Sequence, residues 1–243
     1  MRKEKDSLGE KDIEDVYYGI HTARALENFN IKNKRVNEEL IKAIALIKIA
    51  ATEANKKAGK LDENIANAIK EAANDLIVGN YIDAFMLPSI QGGAGTSTNM
   101  CINEVIANIA LEKMGQSKGD YHIINPLDHV NHSQSTNDVY PTAVKIASIK
   151  LLRELLDETM ALQQELQNKE KEFSNVLKIG RTQFQDAVPL TLGQEFGAYA
   201  EAISRDRWRI YKIEERIRRI NIGGTAVGTG VGASGKYRYY VTE

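Results

Sequence analysis

Residues 137–173 read NDVYPTAVKIASIKLLRELLDETMALQQELQNKEKEF, a long stretch with helical spacing of its apolar residues. Pro141 is close enough to the start to be tolerated in the first turn. The first half is apolar on nearly every side and needs other helices around it: its apolar residues include Val139, Ala143, Val144, Ile146, Ala147, Ile149, Leu152 and Leu155. We expect identical subunits to supply these neighbours in a homo-oligomer. A coiled-coil dimer is the alternative, although the apolar face is wider than an a/d seam.

The remaining pattern also predicts helices. Apolar spacing indicates helices at residues 36–57 and 104–114, the second ended by Gly115. Asp62 is a candidate N-cap for a helix that reaches residue 77, and Thr191 with Gln194 forms a capping-box pattern before a long helix that reaches about residue 220. Residues 1–35 show no regular pattern, so we expect them to be irregular. The sequence predicts a mainly α fold, with an N-terminal helical domain at residues 1–135 and long helices of a central bundle at 136–243.

Composition excludes several classes of function. The chain has 243 residues with 32 basic and 33 acidic side chains, so no strong field attracts nucleic acid or an anionic membrane. Cys101 is the single cysteine, and no His/Cys spacing is typical of a metal site. No apolar run is long enough to cross a membrane, and the charged N-terminus is unlike a signal peptide. We therefore expect a cytoplasmic protein, with no cofactor site visible in the His/Cys pattern.

A first polar segment, GAGTSTNM, occupies residues 93–100. Glycines allow backbone N–H groups to turn toward an anion, and the hydroxyls of Thr96 and Ser97 add donors that rotate to fit. We place this segment just before the helix at 104–114. An ordinary glycine turn is the alternative interpretation, whereas a phosphate loop lacks the required Gly-Lys-Ser/Thr.

A second segment, SQSTND, occupies residues 133–138 at the start of the long helix. Ser135, Thr136 and Asn137 lie where unpaired backbone N–H groups and the positive end of the helix dipole favour a carboxylate. Helix capping by Ser135 or Thr136 is the simpler interpretation. Both functions are compatible if one residue caps the helix and its neighbours face a ligand.

A third segment, GRTQFQD, occupies residues 180–186 and contains Thr182 and Gln183 between two predicted helices. Arg181 and Asp186 are expected to be structural partners. The order of the three segments resembles the fumarase/aspartase superfamily from about residue 6 to about residue 230. Further matching strings are YYGIHT at 17–22, NEV at 103–105, DHVN at 128–131, YPT at 140–142, AVP at 187–189 and GQEF at 193–196.

Two positions favour the aspartate ammonia-lyase family within that superfamily. The chain has Thr136 in its Gln-Ser-Thr-Asn-Asp string, where class II fumarases typically have serine, and Gln183 where fumarases have histidine. The resemblance implies a lyase that removes a proton from L-aspartate, forms an aci-carboxylate and expels ammonia to give fumarate. It also implies a homotetramer whose active sites are shared between subunits.

The resemblance implies roles for seven substrate-binding residues. Thr96, Ser135 and Thr136 would hold the β-carboxylate, Asn137 and Gln183 would face the amino group, Thr182 would lie near the α-carboxylate, and Ser97 would line the pocket. No metal is implied. We expect the three segments to lie on different faces of one subunit and to converge only between subunits.

One departure from the superfamily concerns catalysis. The general base there is a serine on a Gly-Ser-Ser-x-Met-Pro loop, which has no counterpart in these residues, so no catalytic residue is assigned. We interpret the chain as truncated before that loop and expect it to be inactive alone. A class II fumarase and a non-catalytic member of the fold remain the alternatives.

Overall fold

The computed structural model describes residues 1–31 and 34–243. An N-terminal hairpin pairs β1 (Arg2–Asp6) with β2 (Gly9–Ile13) in antiparallel register. Helices α1 (Ile20–Asn28), α2 (Glu38–Lys57), α3 (Glu63–Ile77) and α4 (Thr96–Lys113) follow, then the long α5 (Thr136–Glu172). A second hairpin, β3 (Leu177–Thr182) with β4 (Gln185–Thr191), precedes α6 (Leu192–Ile217) and the short α7 (Gly235–Tyr240). The fold is mainly helical, as the sequence predicts.

The chain forms two compact units, residues 1–147 with 220–243 and residues 148–219. In the first unit α2, α3 and α4 pack together around fully buried Ile44, Ile69 and Ile106. The C-terminal segment belongs to this unit, because Tyr237 of α7 packs against alanines of α2. Helix α5 begins in the first unit and continues into the second. The predicted boundary between an N-terminal domain at residues 1–135 and a central bundle at 136–243 stays a prediction.

The second unit holds the rest of α5, the β3–β4 hairpin and α6. Arg153 of α5 forms a bidentate pair with Glu214 of α6, with N–O distances of 3.1 and 2.8 Å. The predicted capping box is confirmed, since the Thr191 hydroxyl accepts from the Gln194 N–H and the Gln194 side chain accepts from the Thr191 N–H. These local contacts fix the start of α6.

Several helix predictions are confirmed and two are corrected. Asp62 caps α3 by accepting from two backbone N–H groups of its first turn. Residues 1–31 are not irregular, because the charged strands β1 and β2 pair with each other and α1 follows; the same expectation for Lys32 and Asn33 lies outside the described residues. Helix α4 begins at Thr96 rather than Glu104, so the polar stretch taken for a loop is its first two turns.

Within the single chain, only part of the apolar surface of α5 is buried by other residues. Val139, Ala143 and Ala147 are buried, whereas Val144 and Leu155 remain 41% and 51% exposed.

In the described part of the chain, no helix has the length and apolar character needed to cross a bilayer.

Candidate functional site

The first polar segment forms the start of α4. Gly95 precedes the helix with φ of +85°, and a Cβ there would come within 2.3 Å of the Tyr140 ring. Glycine is therefore needed both for the left-handed backbone and for the close approach of α5. The Gln91 side chain caps the helix by accepting from the N–H and the hydroxyl of Thr98, both at 3.1 Å.

These contacts leave Thr96 exposed at the first position of α4, with Ser97 buried beside it. The expectation that the whole segment precedes the helix is wrong for residues 96–100. The capping signal was missed because it comes from Gln91, seven positions before the N–H that it caps.

The second segment forms the start of α5, as predicted. The Ser135 hydroxyl accepts from the Asn137 N–H at 3.2 Å, and the Asp138 carboxylate accepts from the Ser135 N–H at 2.9 Å. This reciprocal pair resembles a capping box, so Ser135 does cap the helix. Its hydroxyl oxygen acts as an acceptor there, which leaves the hydroxyl hydrogen available to a ligand.

A side chain of α4 joins the first two segments within one chain. The Asn99 amide nitrogen donates to the Thr136 hydroxyl at 3.0 Å and to the Asn131 amide oxygen at 3.2 Å. The expectation that all three segments lie on different faces of one subunit is therefore wrong for the first two. The reason is the earlier start of α4, which carries Asn99 into contact with the start of α5.

Lys48 lies beneath this junction, and sequence reasoning missed it. Its side chain is fully buried on α2 and donates to the amide oxygens of Asn131 at 2.8 Å and Gln134 at 2.9 Å. Burial lowers the pKa of Lys48 to about 7, although the negative charge of Asp138 acts in the opposite direction. The sequence does contain a signal for this residue, because Lys48 interrupts the apolar stripe of α2 that includes Ile44 and Ala51.

A glycine-rich loop from the C-terminal segment covers the other side of the α5 start. The buried Asp138 carboxylate accepts from the N–H groups of Gly223 at 3.1 Å and Thr225 at 2.9 Å. The Asn137 amide nitrogen donates to the Ala226 carbonyl at 2.8 Å. Because that carbonyl only accepts, the Asn137 amide oxygen is the group left to receive a hydrogen bond from a ligand.

The third segment lies in the other compact unit, at the tip of the β3–β4 hairpin. Thr182 ends β3, and Gln183 and Phe184 form the turn with φ of 50° and 62°. All three side chains are exposed. The Arg181 guanidinium lies 3.4 Å from the Asp186 carboxylate, which confirms the predicted pairing.

Arg24 of α1, two residues after the matching string at 17–22, has a structural partner. It forms a bidentate pair with Asp6 at 2.8 and 3.0 Å and also donates to the Gly9 carbonyl. These bonds fix the β1–β2 hairpin to α1.

Over residues 1–31 and 34–243, no group of three or more His, Cys, Asp or Glu side chains is arranged to hold a metal ion.

The junction of α4 and α5 is suited to binding an anion. The first turn of α4, which begins at Thr96, is joined to the start of α5 at Thr136 by the Asn99–Thr136 hydrogen bond, and both helix N-termini carry partial positive charge. In the described part of the chain, the Thr136 hydroxyl has no acceptor for its hydrogen. Neutral donors held in place by a folded scaffold stabilise a negative charge that develops on a bound molecule.

Comparisons with known proteins show which family the chain is similar to. The family model described as Lyase matches residues 10–243. The chain is 52% identical to an aspartate ammonia-lyase from Bacillus sp, covering 100% of this chain and 52% of that protein. It spans about half the length of the curated relatives it matches.

Solved structures show the same architecture. A fumarate lyase:delta crystallin from Brucella melitensis superposes with a TM-score of 0.95 at 48% identity, covering 99% of this chain and 53% of that one. A class II fumarase from Schistosoma mansoni gives 0.93 at 36% identity, covering 99% and 51%. The chain therefore belongs to the lyase family, within the fumarase/aspartase superfamily that its sequence motifs indicate.

Proposed function

We propose that the protein containing this chain is an aspartate ammonia-lyase, which eliminates ammonia from L-aspartate to give fumarate. The observation that carries the proposal is the junction of α4 and α5, where the Asn99–Thr136 hydrogen bond brings two donor segments together. The identity to aspartate ammonia-lyases supports the same reaction.

The chemistry explains why such donors are needed. Proton removal beside the β-carboxylate of aspartate places a second negative charge on an already anionic group, giving an aci-carboxylate. Preorganised donors that interact more strongly with this intermediate than with the substrate lower the barrier. Thr96, Ser135 and Thr136 would hold the β-carboxylate, and Ser97 would line the pocket.

The remaining assignments concern the amino end of the substrate. Asn137 presents an amide oxygen, which accepts from an ammonium group, and Gln183 would face the same group. Thr182 would lie near the α-carboxylate. The serine loop that acts as general base in the superfamily has no counterpart in these 243 residues, so this part of the protein would supply binding and charge stabilisation. We assign no catalytic residue within it.

We further propose a homotetramer in which subunits share active sites. Support comes from large apolar side chains left exposed on α5 and α6, among them Leu151, Leu155, Met160, Trp208 and Tyr211. Such surface is typical of an interface. The near-neutral charge and single buried thiol suit a cytoplasmic protein without a nucleic-acid or membrane partner.

A substrate comparison tests the reaction. The whole reading frame that contains this chain is expressed and purified, and fumarate formation from L-aspartate and from L-malate is followed by ultraviolet absorbance. We expect turnover of L-aspartate on the order of 10 per second and much slower use of L-malate. Preference for L-malate would indicate the class II fumarase alternative, and failure with both substrates would indicate a non-catalytic protein.

A further inference from the structure

Lys48 is an unusual residue in the middle of a packed helix. Its side chain is 0% exposed, and in the described part of the chain no carboxylate pairs with it. Its two hydrogen-bond partners are the neutral amide oxygens of Asn131 and Gln134. Burying a charge without an ion-pair partner costs several kcal/mol, so packing alone would favour an apolar residue here.

The hydrogen bonds of Lys48 fix the orientation of the Asn131 amide. The Lys48 amine donates to both amide side chains and, in its protonated form, has no acceptor, so the atom of Asn131 that faces it must be the oxygen. The Asn131 nitrogen then points away and donates to the Gln134 carbonyl at 3.3 Å. Both ends of this amide are therefore assigned by the chemistry of their partners.

The orientation of Asn131 determines that of Asn99. The Asn131 oxygen lies 3.2 Å from the Asn99 side chain, so the Asn99 group that faces it must be its nitrogen. The Asn99 oxygen is buried with no hydrogen-bond partner, so nothing on that side of the amide opposes this orientation. The same nitrogen donates to the Thr136 hydroxyl at 3.0 Å.

The last link determines what Thr136 offers to a ligand. Because its oxygen already accepts from Asn99, its single hydrogen is directed elsewhere and acts as a donor. A reversed Asn99 amide would take that hydrogen, and Thr136 would then present only lone pairs to a carboxylate. The directions of these hydrogen bonds therefore follow from the Asn131 amide, whose oxygen faces Lys48 at 2.8 Å and whose nitrogen faces the Gln134 carbonyl at 3.3 Å.

We propose that Lys48 is a positioning residue that sets the direction of the hydrogen bonds through Asn131 and Asn99, so that Thr136 donates to the carboxylate of a bound dicarboxylic acid. The role of Thr136 rests on the proposed function. The contribution of Lys48 is separable from it, because it predicts coupling between two buried residues and one site residue whatever reaction follows.

A double-mutant cycle on the whole protein tests this coupling. Lys48→Met, Thr136→Val and the double variant are compared by their Kd for succinate, a dicarboxylate that cannot react, measured by calorimetry. We expect each single substitution to weaken binding about tenfold, which corresponds to about 1.4 kcal/mol. Lys48→Met should change the Kd less than about twofold when Thr136 is already valine, because the link it acts through is gone. Effects that multiply would overturn the proposal.

Lys42→Met is the matched control on the same helix. Lys42 pairs with Glu38 and Glu39 at the protein surface, so its replacement should leave the Kd for succinate unchanged. If Lys42→Met weakens binding as much as Lys48→Met, the effect is a general loss of positive charge and the proposal is wrong.

Asn99→Asp keeps the test valid if Lys48→Met does not fold. The carboxylate has nearly the same shape as the amide but only accepts, so Thr136 must donate to it and is lost to the ligand. We expect Asn99→Asp to weaken succinate binding when Thr136 is present but not in the Thr136→Val background. A direct charge repulsion between the new carboxylate and succinate would weaken binding in both backgrounds. Persistence of the full effect, or a wild-type protein that binds no succinate, would overturn the inference. Failure to form fumarate from L-aspartate with the cycle intact would reject only the proposed reaction.

Discussion

The Asp138 carboxylate accepts a 2.9 Å hydrogen bond from the backbone N–H of Thr225, a residue 87 positions later in the chain. The same carboxylate accepts from the N–H groups of Gly223 and Ser135. It therefore joins the glycine-rich loop to the start of α5, where Asn137 contacts the same loop.

Removal of this carboxylate should destabilise the protein strongly. Asp138→Ala leaves three backbone donors without their acceptor, so we expect the free energy of unfolding to fall by about 3 kcal/mol. Urea unfolding measures the change. Asp157→Ala, at an exposed position farther along α5, is the control and should change stability by less than about 0.5 kcal/mol. Similar losses in both variants would show that the Asp138 contacts are not stabilising.

Lys48 should make stability rise with pH in the neutral to alkaline range. Its pKa is about 7 in the folded protein, below the ordinary lysine value of 10.5. The unfolded chain therefore binds more protons between these two values, and the free energy of unfolding increases as pH rises through them. Below about pH 7 both states are protonated and the effect is flat. The stability of wild type relative to Lys48→Met, measured by urea unfolding, should grow from pH 7 to about pH 10; a constant or shrinking difference would contradict the burial of a lysine with a lowered pKa.

Glu104 should stabilise the start of α1. Its buried carboxylate accepts from the N–H groups of Gly19, His21 and Thr22 and from the Thr22 hydroxyl. Glu104→Gln places an NH₂ group among donors, so we expect a loss of about 2 kcal/mol in the free energy of unfolding. Glu71→Gln, at an exposed position of α3, is the matched control. Unchanged stability of Glu104→Gln would mean that these donors do not depend on a charged acceptor.

The sequence predicted the long helices because their apolar residues repeat at helical spacing and their caps are local, as at Asp62 and Thr191. It missed β1 and β2 because these strands are charged and lack apolar alternation. It placed the start of α4 eight residues late, since Gln91 caps that helix from a distance.

The helix start within the candidate site could be predicted from the sequence, but the arrangement of the side chains around it could not. Thr136 and Asn137 lie at a helix start, as expected, because capping sequences are local signals. The Asn99–Thr136 and Lys48–Asn131 bonds join residues 37 and 83 positions apart, and no local pattern encodes such pairs. The β3–β4 hairpin that carries Thr182 is local, but its two-residue turn is Gln183–Phe184, which lacks the Asn-Gly or Asp-Gly signal typical of such turns.

Mixing inactive variants should test whether sites are shared between subunits. The first two segments touch within one chain, whereas Thr182 belongs to the other compact unit. Refolding Thr136→Val with Thr182→Val from the whole protein should therefore restore up to about a quarter of wild-type turnover, because hybrid tetramers contain some sites with both threonines. Thr96→Val mixed with Thr136→Val should restore none, since one subunit supplies both residues. Equal recovery in both mixtures would contradict the sharing.

The 243-residue chain by itself should form no fumarate from L-aspartate. Charge stabilisation and proton abstraction act as a unit, and no base is assigned among these residues. Ultraviolet absorbance of purified chain, free of host enzyme, measures the rate. Turnover on the order of 10 per second would show that the base lies within this chain.

The proposed function requires the Thr136 hydroxyl at the α4–α5 junction to stabilise the carboxylate of L-aspartate. Its most direct test is the kcat/KM for L-aspartate of Thr136→Val and Thr136→Ser in the whole protein, with Tm measured in parallel. We predict that valine lowers kcat/KM by at least about tenfold, which corresponds to about 1.4 kcal/mol of transition-state stabilisation. Serine keeps the hydroxyl that accepts from Asn99, so it should retain most of the activity and the wild-type Tm, whereas valine leaves one Asn99 N–H unpaired and should lower Tm. Wild-type kcat/KM in Thr136→Val, or a Thr136→Ser variant with wild-type Tm that loses as much activity as valine, would contradict this role of the Thr136 hydroxyl.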